Sequence, residues 1–204
     1  MRISAAILAG GHATRFGGRD KSALVIEGRT ILERQLAAIS QVTKDIVIVG
    51  PPSVLPLLPF PPLRTVPDIT SGLGPLGGLQ TALEDTTADV VLLVACDMPY
   101  LSAPLLAYLA SQCVETDAVV PQTERGYHPL CAAYARTCRP AVADRLAAGR
   151  LAMKELLDGL RLRVVSAHDI DRFGDHHRLL ANINTPADLD DVLGAFSGDE
   201  RHAH

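Results

Sequence analysis

The chain contains 204 residues, of which 48% are hydrophobic and 21% charged, with a formal net charge of −4 and an isoelectric point near 5.9. This length suits one compact domain. The weak negative charge argues against a broad cationic surface of the kind that nucleic-acid-binding proteins use to neutralise phosphates. No run of eighteen apolar residues is present, so no membrane span is predicted.

The start of the chain and its cysteines bear on the compartment. The apolar run that follows Met1 is too short for a signal peptide and leads directly into a glycine-rich loop. The four cysteines are scattered and form no C-x-x-C pair, so we interpret them as reduced and mostly buried thiols: Cys96, Cys113, Cys131 and Cys138. These features predict a cytoplasmic protein that binds neither a membrane nor a nucleic acid.

Short continuous apolar runs predict the strands, and helix-start signals lie between them. The predicted strands are Ile3–Leu8, Ile46–Val49, Val90–Ala95, 118–120, 130–134 and 160–165. Runs that are continuous rather than alternating are typical of strands buried on both faces of a mainly parallel sheet. The helix-start signals are a capping box at Thr30 and Glu33, a glycine cluster before 75–83, a cap at Ser102 and the pair Thr185-Pro186.

This alternation predicts an α/β fold, namely a Rossmann-like three-layer α/β/α sandwich with a mainly parallel central sheet. The segment 51–62, PPSVLPLLPFPP, is too rich in proline for a central strand or a helix interior, so we predict a connecting loop there. We expect residues 1–197 to form a single domain and residues 198–204 to form a polar, frayed tail.

Residues 8–21, LAGGHATRFGGRDK, form a glycine-rich, cationic loop directly after the first predicted strand. Gly10 and Gly11 let the backbone turn sharply, and successive amides in such a turn form a site for anions. The loop matches neither G-x-G-x-x-G nor the Walker pattern, because two residues separate Gly18 from Lys21. A flexible turn with solvated charges is the structural alternative. The placement of Arg15 and Lys21 after a strand and glycines favours a loop that neutralises a triphosphate.

Asp97 follows a strongly apolar predicted strand, in VVLLVACDMPY, and is therefore expected at the carboxyl edge of the sheet. Ligands of open α/β sheets bind at this edge, where the strand order reverses. A single aspartate after a strand is also common as a helix cap or turn residue. Here Met98-Pro99 delays the next helix and leaves the carboxylate for other contacts. One carboxylate with phosphate oxygens and water is a common Mg²⁺ arrangement, so Asp97 is the predicted metal ligand.

The segment 67–79, PDITSGLGPLGGL, combines Asp68 with four glycines, among them Gly74. Glycines permit the backbone to contact a flat ligand, and a carboxylate accepts hydrogen bonds from a purine edge or from ribose hydroxyls. A tight connection between a strand and a helix has the same composition. The segment therefore leaves two roles open, nucleotide contact and close packing.

Polar residues in the second half of the chain carry weaker signals. His128 precedes a predicted strand, where a single histidine is more often structural than a phosphate contact or a proton-transfer group. Asn182 and Asn184, in NINTP, are able to hydrogen-bond a heterocycle, although Asn184 also suits a turn. Three further histidines lack a spacing typical of a metal site and are interpreted as solvated: His168, His176 and His177.

Together, five segments of the chain resemble the molybdenum cofactor guanylyltransferases, a family of nucleotidyltransferases. The segments are LAGG with R-x-G-G and DK in 8–21, PD with GPLGGL in 67–79, CDMPY in 96–100, HPL in 128–130 and NINTPADL in 182–189. The resemblance implies a fold of the nucleotide-diphospho-sugar transferase type and transfer of GMP from GTP to the terminal phosphate of Mo-molybdopterin, with release of pyrophosphate. It also implies Mg²⁺ as the cofactor, with Mn²⁺ as a substitute, and molybdenum cofactor biosynthesis proteins and acceptor molybdoenzymes as partners.

Matched position by position, the family's motifs imply roles for individual residues. Lys21, Arg15 and Asp97 are the implied catalytic residues: Lys21 neutralises the triphosphate, Arg15 steadies the leaving phosphates, and Asp97 binds both GTP and Mg²⁺. Asn182 and Asn184 match positions on the pterin side. The implied nucleotide contacts are Leu8, Ala9, Gly10, Gly11, Lys21, Asp68, Gly74 and Asp97.

One position departs from the family pattern. The chain has Gly50-Pro51 where relatives often have an asparagine after the second strand, which leaves that nucleotide contact without its usual residue. Two alternatives to guanylyl transfer remain open at the level of the sequence. The first is a related transferase activity, namely cytidylyl transfer to molybdopterin or transfer to another phosphorylated acceptor. The second is a protein of a different functional class, a non-catalytic nucleotide-binding protein. The lack of a Ser–His pair is consistent with transfer to a phosphate, because an anionic nucleophile needs no strong general base.

Overall fold

The structure is a computed structural model that describes residues 1–9, 24–51, 63–183 and 187–188. The strands are β1 (Ile3–Leu8), β2 (Val25–Ile26), β3 (Arg29–Thr30), β4 (Ile46–Val49), β5 (Arg64–Val66), β6 (Val90–Ala95), β7 (Ala118–Thr123), β8 (Gly126–Tyr127), β9 (Cys131–Ala135) and β10 (Leu162–Ser166). The helices are α1 (Ile31–Ile39), α2 (Gly74–Asp85), α3 (Ala103–Ser111), α4 (Arg139–Ala147), α5 (Met153–Asp158), α6 (Ala167–Ile170) and α7 (His176–Leu179).

One mixed sheet organises the fold, with strand order β10-β7-β9-β6-β1-β4-β5 and β8 paired to β7. The pairs β4–β5, β1–β4, β1–β6 and β7–β10 are parallel, whereas β9 runs antiparallel to both of its neighbours. From the central strand β1 the chain adds β4 and β5 on one side and then returns to add β6 on the other side. The strand order therefore reverses between β1 and β6, the position at which open α/β sheets bind ligands.

The two faces of the sheet are both covered by helices. In β1, Ala5 and Ile7 pack in one core with α1 and α3, whereas Ala6 and Leu8 pack in the other core with α2, α4 and α5. Because both faces are buried, successive strand residues are all apolar, which explains the continuous runs in the sequence. This three-layer arrangement confirms the predicted α/β/α sandwich with a mainly parallel sheet.

Local signals in the sequence account for the starts of two helices. Thr30 Oγ1 accepts a hydrogen bond from the Glu33 amide at 3.1 Å, and Glu33 Oε2 accepts one from the Thr30 amide at 2.7 Å, which completes the predicted capping box. Ser102 caps α3 through the Leu105 amide, as predicted. Both interactions satisfy amides that would otherwise lack a partner in the first helical turn.

The structure also contains elements that the sequence did not predict. The hairpin β2–β3 turns at Glu27 and Gly28, which both have positive φ, and a glutamate there lacks the usual Asn-Gly or Asp-Gly signal. The predicted strand 118–120 extends through Pro121 to Thr123, and β5, α4 and α5 were not predicted. In the described part of the chain, no helix combines the length and the apolar character that a membrane span requires. Most of the proline-rich segment, 52–62, lies outside the described residues.

Candidate active site

The carboxyl ends of the parallel strands meet along one edge of the sheet. Hydrogen bonds continue the ladder past the ends of the strands: the Ala9 amide donates to Val49 O at 2.8 Å, and the Cys96 amide donates to Leu8 O at 3.2 Å. Leu8 stands in register with Ala95, so the first residues after β1 and β6 emerge side by side. Asp97 therefore lies at the reversal point between β1 and β6, as predicted.

Asp97 and Asn182 are in direct contact, although 85 residues separate them in the sequence. Asn182 Nδ2 donates a hydrogen bond to Asp97 Oδ1 at 2.8 Å. The Ile183 amide donates to the backbone carbonyl of Asp97 at 2.9 Å, so the two segments are joined by backbone as well as by side chains. Both residues are partly buried. The structure thus brings together two of the predicted site residues and orients the carboxylate of one with the amide of the other.

The turn that carries Asp97 is held in place by Gln35, a residue whose role was not predicted from the sequence. Gln35 is fully buried, and its Nε2 donates to the carbonyls of Ala95 at 2.7 Å and of Met98 at 3.0 Å. A signal was present in the sequence, because Gln35 lies between Leu32 and Leu36 on the apolar side of α1. A polar residue at a core position of a helix usually has a specific hydrogen-bonding partner.

The same turn is fixed on its outer side by arginines. Arg34 Nε donates to the Pro99 carbonyl at 3.2 Å. The ring of Tyr100 lies between two guanidinium groups, with the Arg34 carbon 5.0 Å and the Arg178 carbon 4.5 Å from its centroid. Burial raises the pKa of Tyr100, with a further contribution from Glu27. A cavity of about 800 Å³ opens beside this turn, between α1 and α7.

Leu8, Ala9 and Gly50 are tightly packed where β1 and β4 end, directly before residue 10 in the case of Ala9. Leu8 and Ala9 are 9% and 4% exposed, and the ladder already uses the Leu8 carbonyl and the Ala9 amide. A Cβ on Gly50 would lie 1.9 Å from the Ala9 carbonyl oxygen, so no larger residue fits there without movement. Glycine at position 50 is therefore explained by close approach of β4 to β1, and an asparagine at this place would require a different backbone.

Asp68 and Gly74 lie at the same sheet edge, beyond β5. Burial raises the pKa of the Asp68 carboxyl. The neighbouring amide of Ile69 donates to Thr81 Oγ1 at 3.0 Å, which ties this loop to α2. Gly74 is the first residue of α2 and has a φ of 61°, and the preceding residue, Leu73, has no side-chain group that could cap the helix. The start of this twelve-residue helix therefore directs a positive partial charge towards this edge.

Two other glycines of the segment 67–79 have packing roles. Gly77 and Gly78 are buried within α2. A Cβ on Gly78 would lie 2.8 Å from Leu8 Cδ2, and one on Gly77 would lie 2.8 Å from Leu73 Cβ. Gly78 lets α2 pack closely against β1, and Gly77 makes room for Leu73 at the start of α2, so at these two positions the packing role is the one that the structure supports.

His128 is held in a structural position. Its Nε2 lies 2.8 Å from Thr123 Oγ1, and its amide donates to the Pro121 carbonyl at 2.9 Å, so it links β7 to the start of β9. Burial lowers the pKa of His128, and the charge of Arg125 lowers it further. A neutral, hydrogen-bonded imidazole agrees with the structural role that the sequence favoured.

Five predicted site residues lie outside the described residues: Gly10, Gly11, Arg15, Lys21 and Asn184. Their roles remain predictions from the motifs. Of the remaining predicted residues, Asp97 and Asn182 are in contact, Leu8 and Ala9 support the strand end beside them, and Asp68 and Gly74 lie farther along the same edge.

Comparison with known proteins agrees with this geometry. The family model of the MobA-like NTP transferase domain matches residues 5–165. The molybdenum cofactor guanylyltransferase of Desulfosudis oleivorans is 30% identical over 95% of this chain and 96% of its own length. The probable molybdenum cofactor guanylyltransferase of Pelotomaculum thermopropionicum is 30% identical over 93% of this chain and 91% of its own length.

Solved structures share the fold at lower identity. Molybdopterin-guanine dinucleotide biosynthesis protein A from Archaeoglobus fulgidus superposes with a TM-score of 0.78 at 22% identity, over 95% of this chain and 98% of that chain. The 2-C-methyl-D-erythritol 4-phosphate cytidylyltransferase of Thermus thermophilus superposes with a TM-score of 0.69 at 19% identity, over 96% and 98% of the two chains. The fold, the sheet edge with Asp97 and the family match all lead to one assignment. The chain is a nucleotidyltransferase that belongs to the MobA-like NTP transferase family.

Proposed function

We propose that this chain is a molybdenum cofactor guanylyltransferase, which transfers GMP from GTP to the terminal phosphate of Mo-molybdopterin and releases pyrophosphate. The observation that carries the proposal is the similarity over nearly the whole chain to the proteins of Desulfosudis oleivorans and Pelotomaculum thermopropionicum that bear this name. The fold alone favours no base or acceptor, since a cytidylyltransferase shares it.

The chemistry requires positioning and neutralisation of charge more than proton transfer. An oxygen of the acceptor's terminal phosphate forms a bond to the α-phosphorus of GTP, while the bond from that phosphorus to the bridging oxygen of the β-phosphate breaks. Both partners are anions, so cationic side chains and oriented amides lower the barrier. We assign Lys21 and Arg15 to the triphosphate and the departing pyrophosphate on the basis of their motif, and we assign the amides of Gly10 and Gly11 to the nucleotide on the same basis.

The residues at the sheet edge fit a bound Mg²⁺ ion. The carboxylate of Asp97 is a hard oxygen ligand, and the hydrogen bond from Asn182 fixes its orientation. When bound, Mg²⁺ supplies positive charge that neutralises phosphate oxygens, and Mn²⁺ has similar ligand preferences. We propose Asp97 as the protein ligand. Burial raises the pKa of Asp68, and hydrogen bonds from ligand hydroxyl or amide groups would stabilise its carboxylate. We therefore assign Asp68 to the nucleotide, together with Gly74.

The test is product formation with defined substrates. The purified chain is incubated with Mg²⁺, molybdopterin loaded with molybdate, and GTP, CTP, ATP or UTP in turn, and pyrophosphate and the dinucleotide product are measured. We expect turnover with GTP that depends on the pterin and stops when EDTA removes the metal. Preference for CTP, or pyrophosphate release without the pterin, would indicate a different transferase. Binding of GTP without any product would indicate a nucleotide-binding protein.

A matched pair of variants tests the role of Asp97. Asp97→Asn changes the residue just beyond the carboxyl end of β6, and Asp89→Asn changes the exposed residue just before its amino end. We expect Asp97→Asn to lower kcat/KM at least about 100-fold, which is about 2.7 kcal/mol of transition-state stabilisation, and Asp89→Asn to retain activity. Equal activities for the two variants would remove Asp97 from the metal and nucleotide site.

A further inference from the structure

A cluster of two histidines and a glutamate lies at the far side of the same sheet edge, away from Asp97. Glu124 follows β7, and His176 and His177 begin α7. His176 Nε2 lies 3.6 Å from Glu124 Oε2, and His177 Nδ1 lies 3.7 Å from Glu124 Oε1. The ligand atoms of all three residues lie within 4.8 Å of one another. The interpretation of both histidines as merely solvated, drawn from their spacing, therefore misses this arrangement.

The separations match those of metal ligands more closely than those of hydrogen bonds. Distances of 3.6 and 3.7 Å are too long for a hydrogen bond between an imidazole and a carboxylate. Two ligands of a tetrahedral zinc ion with bonds of about 2.0–2.1 Å stand about 3.3–3.4 Å apart. A shift of a few tenths of an ångström in the exposed side chain of Glu124 would shorten these two distances to that value.

The imidazole of His176 is already oriented for coordination. Its Nδ1 lies 2.8 Å from Asp171 Oδ1, and a carboxylate only accepts hydrogen bonds, so Nδ1 carries a proton and Nε2, which faces Glu124, is the nitrogen that a metal ion would bind in place of a proton. The side chain is 14% exposed, and its backbone amide also donates to Asp171 Oδ1. A carboxylate behind a ligating histidine is the usual support of zinc sites, because it fixes the ring and raises its basicity.

Two further carboxylates lie beside the cluster, together with the exposed Arg125, whose Nε lies 3.9 Å from Glu124 Oε1. Asp171 and Asp175 lie within reach of His176, and Asp175 also accepts a hydrogen bond from the His177 amide. The hydrogen bond that His176 donates to Asp171 raises the pKa of His176. Two imidazole nitrogens and one carboxylate oxygen form a mixed donor set that suits zinc and discriminates against Mg²⁺, which prefers oxygen ligands alone.

We propose that Glu124, His176 and His177 form a binding site for a divalent transition metal of the zinc class, with Asp171 as the positioning carboxylate. The bound ion would join the end of β7 to α7. Since α7 leads within three residues to Asn182, the ion would stabilise the segment that contacts Asp97. The site uses other residues than the proposed Mg²⁺ site, so each proposal is able to fail without the other.

The test is zinc binding by the full chain, measured by competition with a chromophoric chelator in the presence of excess Mg²⁺. All proteins carry His202→Ala and His204→Ala, so that these two histidines near the C-terminus do not contribute. We expect one zinc ion per chain and a melting temperature that rises with zinc. His177→Ala and Glu124→Gln should each weaken zinc binding at least about 10-fold, and Asp171→Asn about 10–100-fold. Circular dichroism establishes that each variant is folded, and Glu124→Gln keeps the shape of the side chain.

Two controls make the result specific. His168→Ala removes an exposed histidine of α6 that lies outside the cluster, and Asp97→Asn removes the proposed Mg²⁺ ligand. Both should retain zinc affinity. The proposal is overturned if the parent chain binds no zinc under these conditions, or if His177→Ala and Glu124→Gln bind it as tightly as the parent does. Loss of zinc binding in Asp97→Asn would place the ion at the nucleotide site and would also overturn the assignment.

Discussion

The contact between Asn182 and Asp97 predicts how an enzyme with alanine at position 182 behaves. Asn182→Ala removes the hydrogen bond from Nδ2 to Asp97 Oδ1 and leaves the bond from the Ile183 amide to the Asp97 carbonyl in place. The local fold should therefore persist, with little change in melting temperature. The Asp97 carboxylate, however, loses a hydrogen bond that orients it in the proposed metal and nucleotide site.

The magnitude follows from the kind of bond that is lost. A hydrogen bond to a charged group contributes about 1.5–3 kcal/mol. Because Asp97 is only partly buried, water replaces part of this interaction, and we expect a loss near the lower end, about 1.4–2 kcal/mol. This corresponds to a decrease in kcat/KM of about 10–30-fold. Asn182→Asp places a second carboxylate beside Asp97 in the same shape, and like-charge repulsion should make this variant worse than the alanine variant.

The assay separates two roles for Asn182. Initial rates are measured while the concentrations of Mg²⁺, GTP and Mo-molybdopterin are varied one at a time. If Asn182 positions Asp97, the Mg²⁺ concentration needed for half-maximal rate rises in Asn182→Ala, while the KM for Mo-molybdopterin stays within about twofold of the wild-type value. The family resemblance instead implies a contact on the pterin side, which predicts the opposite pattern.

One result would refute the positioning argument. If Asn182→Ala raises the KM for Mo-molybdopterin and leaves the Mg²⁺ dependence unchanged, the hydrogen bond to Asp97 has no functional weight and Asn182 acts on the acceptor. If neither the Mg²⁺ dependence nor the KM for Mo-molybdopterin changes in Asn182→Ala, Asn182 has no role in the site.

Three further predictions concern the support of the site. Gly50→Ala should destabilise the fold by at least about 1–3 kcal/mol in urea unfolding, because its Cβ would lie 1.9 Å from the Ala9 carbonyl oxygen. Unchanged stability would mean that the backbone at this sheet edge moves to accommodate the methyl group at no cost in free energy. Gln35→Leu leaves two buried carbonyls without a donor and should cost about 2–4 kcal/mol and lower activity, and a neutral effect on both would contradict its role in holding the turn. Arg161 strongly lowers the pKa of Asp117, so this carboxylate stabilises the fold above the ordinary aspartate pKa of about 4, and the stabilisation is lost as pH falls towards the lowered value. Asp117→Asn should therefore cost about 1.5–3 kcal/mol at pH 7 and less in acid melts, and a pH-independent difference would refute the charge argument.

Much of the fold follows from local sequence signals. The continuous apolar runs of β1, β4 and β6 predict buried parallel strands, and the capping box at Thr30 and Glu33 predicts the start of α1. The hairpin turn at Glu27 was not predictable in this way, because its positive φ is imposed by pairing of the flanking strands and not by the residue type. The antiparallel direction of β9 likewise depends on its neighbours, since an apolar run has no inherent direction.

The sequence by itself determined which residue types follow the strands, and from these the chemistry of the site is predicted: glycines and cations in the segment 8–21, Asp97 after β6, and the asparagines at 182 and 184. Only the tertiary structure decided which of these residues meet. Asn182 reaches Asp97, Gln35 holds the turn beneath it, and Gly78 is reserved for packing against Leu8. The same holds for Glu124 with His176 and His177, which approach one another only because the end of β7 and the start of α7 lie together at one edge of the sheet. Contacts between residues far apart in the sequence depend on strand order, and strand order is set by the packing of the whole chain.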